Sequence, residues 1–158
     1  MNLSKDIIFF LKNQHFVIVS TISQDGSIHC SAKGIVGVYE DGRVYVIDLY
    51  HNRTYNNLKN NPIVSITQVD EHTFKGYTLK GKAKIVYKED IHDEYLKEWE
   101  RKVLKRISDR LIKSVQRETA SNSHHEAHLP AEPKYLIEID VDDIVDLSPP
   151  SCFREGKK

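Results

Sequence analysis

Two Asp-Gly pairs, each placed between runs rich in β-branched and aromatic residues, constrain the first third of the chain. Asp25-Gly26 and Asp41-Gly42 separate the runs 15–22, 28–39 and 43–50. Aspartate and glycine accept the positive φ that the central residues of a tight hairpin turn adopt. The spacing therefore predicts three consecutive antiparallel strands.

Three later segments, 63–69, 76–87 and 134–147, also have the composition of strands. The clearest is 76–87, where apolar and polar side chains alternate with a period of two. The positions expected to face a core are Tyr77, Leu79, Ala83, Ile85 and Tyr87. The positions expected to face solvent are Thr78, Lys80, Lys82 and Lys84.

Two short helices are predicted from their caps. Ser4 is the expected cap of a helix over about 4–13, and Asn52 is the expected cap of a helix over about 53–61. The side-chain oxygens of serine and asparagine accept hydrogen bonds from free first-turn N–H groups. Pro62 ends the second helix, because the residue before a proline avoids the α region.

A long amphipathic helix is predicted over 90–118, followed by a polar loop over 119–133. Trp99 is expected to be a core anchor on the apolar stripe of this helix. The stripe recurs every three or four positions and consists of Leu96, Trp99, Val103, Ile107, Leu111 and Val115. The helix is acidic at its start and basic from residue 101 onward, which suits the helix dipole. The basic part also allows an anion site as the functional alternative.

The predicted fold is mainly β with helices: six mostly antiparallel strands, with the long helix inserted before the last one. Six alternating strands can close into a small barrel, which removes exposed sheet edges. The length of 158 residues fits one domain over 1–150, with a flexible tail over 151–158.

The chain has 23 basic and 23 acidic residues, so its formal charge is zero. This balance argues against a dedicated nucleic-acid-binding protein. No stretch approaches the roughly 20 apolar residues that span a bilayer, and the N-terminus lacks a secretory pattern. We therefore expect a cytoplasmic protein in which Cys30 and Cys152 are reduced, with Cys30 a small buried residue.

The segment after the third strand has the features of an anion site. Arg53 and Thr54 open the second helix, where free N–H groups and the helix dipole favour a negative charge. A guanidinium and a hydroxyl there suit a phosphate group. The alternative is an ordinary capped helix with a solvated arginine.

Four motifs, in order, resemble those of the flavin-binding split-barrel relatives of pyridoxamine 5'-phosphate oxidase. They are Ile28 to Lys33; Asn52-Arg53-Thr54 with Asn57-Leu58 and Asn61-Pro62; Gly76-Tyr77; and Leu79 to Ala83. The resemblance covers residues 7–87, and the closing strand over 135–147 is similar too. It implies a six-stranded antiparallel split β-barrel that forms a homodimer with FMN at the subunit interface.

The resemblance also assigns cofactor-binding residues. Arg53 and Thr54 are expected to hold the FMN phosphate, and the other expected contacts are Ser31, Ala32, Lys33, Ile47, Asp48, Asn57 and Gln68. A lysine such as Lys33 near the pyrimidine edge would stabilise the negative charge of reduced flavin. The alternative for Lys33 is a solvated strand lysine.

The resemblance has limits that bear on activity. The arginine–histidine segment that grips substrate in pyridoxamine phosphate oxidases is absent from 148–155, and no arginine precedes Lys33 in its strand. Vitamin B6 oxidation is therefore not expected. The predicted function is an FMN-dependent oxidoreductase that transfers two electrons to or from a small organic substrate. No catalytic acid or base is identified.

Several alternatives to this function stay open. They are a non-enzymatic flavin carrier or sensor, a haem or deazaflavin protein on the same fold, and a nucleic-acid module that uses the basic helix half. The cluster from His124 to His128 does not match the zinc-protease spacing, so a surface loop without metal is expected there.

Overall fold

Six antiparallel strands close into a barrel in the computed structural model, which describes residues 1–116 and 132–149. The strands are β1 (Val17–Ile22), β2 (Ile28–Val38), β3 (Arg43–Asp48), β4 (Ile63–Asp70), β5 (Lys75–Tyr87) and β6 (Tyr135–Asp146). The helices are α1 (Lys5–Lys12), α2 (Arg53–Asn60) and α3 (Asp93–Gln116), with a 3-10 turn at Lys88–Asp90. The predicted fold class is therefore confirmed.

The strand order around the barrel is β1-β2-β3-β6-β5-β4, and β4 pairs with β1 to close it. The two predicted hairpin turns are present, since Gly26 and Gly42 have φ of 81° and 91°. Gly81 allows β5 to approach β6 closely, because a Cβ at this position would collide with the backbone carbonyl of Asp140. Glycine is therefore needed at the two hairpin turns and at the point where β5 and β6 lie close together.

The barrel interior is apolar, and α1 packs against it through Ile7, Ile8 and Leu11. The cap of α1 is the predicted one, since Ser4 Oγ accepts from the backbone N–H of Ile7 at 3.4 Å. The most deeply buried interior side chains are Val17, Val19, Ile35, Val44, Val46, Ile66, Leu79, Ile137 and Ile139. Burial of this set is the main stabilising contribution to the fold.

A second apolar cluster lies outside the barrel, between α3 and the outer faces of β2, β3 and β6. Tyr95 is buried in it, and Leu96 and Trp99 are partly buried against it. As a result every residue of β3 from Val44 to Asp48 is buried, because the barrel covers one face of the strand and α3 the other. Trp99 thus packs against this cluster from the predicted apolar stripe of α3, but it is only partly buried. None of the described helices is long and apolar enough to cross a membrane.

Three local expectations are wrong. Tyr87 ends β5 with 46% of its surface exposed, because the strand leaves the core there. Cys30 is exposed, since it pairs with Ser20 on the outer face of the barrel and its Sγ lies 3.3 Å from Ser20 Oγ. Asn52 occupies the N-cap of α2, but its side chain makes no capping hydrogen bond.

The predictions for the end of the long helix beyond residue 116, the loop up to residue 131 and the tail from residue 150 lie outside the described residues. These include the cluster from His124 to His128 and Cys152.

Candidate functional site

A buried ion pair lies at one end of the barrel. Lys33 Nζ is 2.7 Å from Asp48 Oδ1, and the two side chains are 12% and 2% exposed. The antiparallel register of β2 and β3 brings these residues opposite one another, because the adjacent residues Gly34 and Ile47 are paired. The hydroxyl of Tyr135 in β6 donates to Asp48 Oδ2 at 2.5 Å. Three strands therefore fix the position of Lys33.

The hydrogen bonds around Asp48 determine what Lys33 can still do. The carboxylate accepts from Lys33 and Tyr135, and its Oδ1 also accepts from the backbone N–H of Tyr50 at 3.3 Å. Burial, with the hydrogen bond to Asp48, raises the pKa of Tyr135, so this phenol stays a donor. A lysine has three N–H donors. Two of those on Lys33 find no acceptor among the described residues, which leaves them available to a ligand.

A cleft of about 270 Å³ adjoins this ion pair on the outer side of the barrel. We call it the cofactor cleft, and it is lined by Phe16, Ala32, Lys33, Gly34, Ile47, Asp48, Leu49, Tyr50, Trp99 and Arg106. Its floor is the middle of β2 and the end of β3, and Trp99 and Arg106 of α3 form a wall. Four of the residues that sequence assigned to the cofactor, Ala32, Lys33, Ile47 and Asp48, are therefore brought together.

The start of α2 is joined to β2 through two hydroxyl groups. Ser31 Oγ lies 2.9 Å from Thr54 Oγ1, and Thr54 is 1% exposed. Only one of the two hydroxyl hydrogens is used in this bond, so the other remains free to donate. Arg53 is exposed and makes no ion pair with any residue in the described part of the chain. Because Asn52 does not cap α2, the first-turn N–H groups also remain available.

The other two predicted residues are used elsewhere. Asn57 is 7% exposed, and its Nδ2 donates to Thr21 Oγ1 at 3.0 Å and to Ser23 Oγ at 3.3 Å. Gln68 Nε2 donates to Gln14 Oε1 at 3.1 Å. Neither side chain lines the cofactor cleft. Asn57 thus joins α2 to β1, and Gln68 joins β4 to the segment after α1.

A buried lysine, which the sequence analysis did not single out, fixes α3 against the barrel. Lys102 is 6% exposed, and its Nζ donates to the carbonyls of Ile35, Gln14 and Lys12 at 2.9, 3.0 and 3.3 Å. Burial lowers its pKa, and Glu98, 3.8 Å away, acts in the opposite direction. In sequence, Lys102 is one cation in a basic run, and nothing local separates it from its neighbours.

His15, which precedes the cleft residue Phe16, is surrounded by several cations of α3 and by Asp109. The pKa of His15 is lowered by burial first, and then by the nearby cations Arg106, Lys105 and Lys102. The Nδ1 atom of His15 is buried and has no hydrogen-bond partner among residues 1–116 and 132–149. Arg106 thus contributes to both the cleft wall and the environment of His15. Within residues 1–116 and 132–149, no three histidine, cysteine or carboxylate side chains are arranged to hold a metal ion.

Solved structures share this fold at low sequence identity. HupZ of Group A Streptococcus has a TM-score of 0.61 at 18% identity, over 92% of this chain and 95% of that one. A protein named F420 reductase has a TM-score of 0.60 at 14% identity, over 92% and 98% of the two chains. General Stress Protein 26 from Bacillus anthracis str. Sterne has a TM-score of 0.54 at 19% identity, over 92% and 95%.

A comparison with curated proteins gave no match. The family model described as "Pyridoxamine 5'-phosphate oxidase" matches residues 3–144, which include all six strands except the end of the last. The chain therefore belongs to the pyridoxamine 5'-phosphate oxidase family.

Proposed function

We propose that this protein binds FMN in the cofactor cleft and acts as an oxidoreductase on a small organic substrate. The observation that supports this most is the adjacency of two donor groups. Lys33 and Ser31 lie two residues apart on one face of β2, and two of the Lys33 N–H donors have no acceptor among the described residues, while Ser31 is joined through Thr54 to the start of α2, with Arg53.

The start of α2 suits the phosphate of FMN. Its N–H groups are not capped by Asn52, Arg53 forms no ion pair within the described residues, and one hydroxyl of the Ser31–Thr54 pair keeps a free hydrogen. Uncapped N–H groups, a guanidinium and a hydroxyl are the donors that bind phosphate oxygens in proteins.

The cofactor cleft suits a flat ring system. Ala32 has a small side chain, so a planar group can approach the backbone of β2 there, while Ile47 and Trp99 already pack over Gly34. When bound, FMN would carry the two electrons as hydride. Because Asp48 balances the charge of Lys33, this lysine would act on the ring as a fixed hydrogen-bond donor rather than as an unpaired cation.

The proposal includes a homodimer with the cofactor at the subunit interface. The outer face of β1, β2 and β4 exposes apolar side chains that a second copy would cover. Ile28 is 75% exposed, Ile63 is 52% exposed and Ile18 is 36% exposed. A cleft of about 420 Å³ on this face is lined by Ile28 and Ile63, among others. Sedimentation velocity of the purified protein, with and without FMN, tests this part.

The test of the cofactor site is the variant Arg53→Glu. We expect it to lose retained FMN, because it replaces a cation at the phosphate position with a like charge. The matched control is Lys59→Glu, which makes the same charge change on an exposed residue in the last turn of α2. The visible spectrum after desalting measures the retained flavin. An Arg53→Glu variant with full yellow absorbance contradicts the proposal.

The reaction is tested separately from binding. Oxidation of a nicotinamide donor by the FMN-loaded protein supports an oxidoreductase, whereas stoichiometric FMN without turnover of any reductant supports a flavin carrier or sensor. The similarity to a protein named F420 reductase makes a deazaflavin the second cofactor to test. The absorbance spectrum of the purified protein separates flavin, deazaflavin and haem.

A further inference from the structure

Three tyrosine rings converge on one glycine at the outer face of the barrel. The rings of Tyr45 and Tyr95 are stacked with centroids 4.5 Å apart, and Tyr39 meets Tyr45 edge-on at 5.6 Å. A Cβ on Gly37 would lie 3.0 Å from Tyr95, 3.1 Å from Tyr39 and 3.1 Å from Tyr45. Gly37 follows the register shift in β2, so the missing side chain leaves the space that the cluster occupies.

A cleft of about 590 Å³ adjoins these tyrosines. We call it the tyrosine cleft. It lies between the start of α3 and the outer face of β3, β5 and β6, and it shares no lining residue with the cofactor cleft. Its volume is within the range of small-molecule sites, roughly 300–1,000 Å³.

The charges that line the tyrosine cleft are mostly negative. Its carboxylates are Asp90, Glu94 and Glu138, and its cations are Arg43 and Lys84. Arg43 forms an ion pair with Asp41, since its Nε and guanidinium nitrogen lie 2.7 and 2.5 Å from Asp41 Oδ2, and Lys84 lies directly across from Glu138 in the register of β5 and β6. None of the three carboxylates has an ion-pair partner within the described residues.

The tyrosines add neutral aromatic surface and hydroxyl groups to these carboxylates. Burial, with hydrogen bonds to Tyr39 and Tyr45, raises the pKa of Tyr95, so its hydroxyl stays neutral at physiological pH. Tyr39 is 37% exposed and presents part of its ring. The negative face of an aromatic ring attracts cations, and more so beside carboxylates. An anion would instead meet three carboxylates against two cations, of which Arg43 is already paired with Asp41.

We propose that the tyrosine cleft binds a small organic ammonium ion with an apolar body. The aromatic side chains would contact the apolar body, and Glu94 and Glu138 would balance the charge. This site is separate from the proposed FMN site and does not depend on it.

The experiment is titration calorimetry of the full-length protein with choline and with dimethylbutanol, its neutral isostere. We expect saturable binding of choline and about tenfold weaker binding of the isostere, because the charge provides a cation–π and carboxylate contribution. Glu94→Gln and Glu138→Gln should each weaken choline binding by several-fold. Glu71→Gln is the matched control, since Glu71 is an exposed acid in the turn between β4 and β5.

Three results would overturn the proposal: no saturable heat with millimolar choline, equal affinity for the neutral isostere, or unchanged choline affinity in both glutamine variants. Circular dichroism shows that each variant is folded. The Arg53→Glu variant should lose flavin and still bind choline, which keeps the failure of one site distinct from the failure of the other.

Discussion

The two halves of α3 cover different clefts, and the clefts have opposite charge. The first turns, with Glu94 and Tyr95, border the tyrosine cleft, where unpaired carboxylates predominate. One to three turns later, Trp99 and Arg106 border the cofactor cleft, where cations predominate among the nearby charges. Among the described residues that line the cofactor cleft, the only carboxylate is Asp48, which is buried and hydrogen-bonded through both oxygens.

This difference shows that the order of the charges along α3 and the places where those charges act have separate causes. A helix with acids first and bases last is stabilised by its own dipole, and that account needs no ligand. Here the same gradient also gives two clefts on the outer surface of one barrel distinct ligand preferences. The dipole therefore accounts for the order of charges along α3, and the packing of α3 on the barrel accounts for where those charges act.

The largest expected effect comes from removing the buried carboxylate of the cofactor cleft. Asp48→Asn leaves the charge of Lys33 uncompensated in a site where both side chains are nearly buried. We expect the free energy of unfolding to fall by about 3–5 kcal/mol. The matched change in the tyrosine cleft, Glu138→Gln, removes an unpaired carboxylate and should cost less than about 1 kcal/mol. Urea denaturation measures both, and equal losses would contradict the contrast.

Two glycines of β2 give the next contrast, since each lies beside one of the clefts. Gly37→Ala should destabilise the protein by about 1–3 kcal/mol, because its Cβ would crowd three tyrosine rings. Gly34→Ala should be much milder, since its Cβ would meet Ile47 at 3.6 Å and Trp99 at 3.9 Å, which are ordinary contacts. Thermal unfolding measures both. A Gly34→Ala variant that is the less stable of the two would refute this packing argument.

Alkaline pH should lower the free energy of unfolding, because a buried tyrosine lies beside each cleft. Burial raises the pKa of Tyr95 and of Tyr135, so the folded protein keeps phenol protons that the unfolded chain releases above pH ~10. The two buried phenols make their full contribution to the free energy of unfolding below that pH. Above it the contribution falls, by up to about 1.4 kcal/mol per pH unit for each tyrosine. Tyr95→Phe and Tyr135→Phe should each flatten the alkaline slope of unfolding free energy. A slope unchanged in both variants would contradict the prediction.

The smallest expected effect is a shift in the pKa of His15, which lies beside the cofactor cleft. Arg106→Gln should raise the pKa of His15, because it removes one of the cations that lower it, while the larger contribution from burial remains. An NMR titration of the imidazole measures this shift. Arg101→Gln is the control, since Arg101 pairs with Glu98 and is not among the cations that act on His15. A shift of equal size in both variants would show that the effect is one of net charge.

Strand positions were predictable from sequence because their signals are local. The alternation in β5 and the Asp-Gly turns placed the strands within about two residues of their observed bounds. The same local reasoning placed Cys30 on the wrong face. The position of Ser20, directly across from Cys30 in β1, is fixed by register, which the isolated run does not reveal.

The cofactor cleft was only partly predictable. The strand residues around Lys33 and Asp48 came from motifs that resemble a family, but Trp99 and Arg106 reach the cleft through the packing of a helix far away in sequence. One feature of the sequence does point to the tyrosine cluster. An isolated glycine within a strand, such as Gly37, often marks a bulge or a close approach, and that is where the three rings meet.

The three hydrogen bonds of Lys102 restrict how the length of α3 can vary. Each residue of an α-helix adds about 100° of rotation about the helix axis. If Lys102 stays fixed, one residue inserted between Tyr95 and Lys102 would therefore rotate Tyr95 away from the tyrosine cleft. The same holds for a deletion between Lys102 and Arg106. Relatives that keep both clefts should therefore have no gaps over this span, and changes in helix length should occur only beyond Arg106.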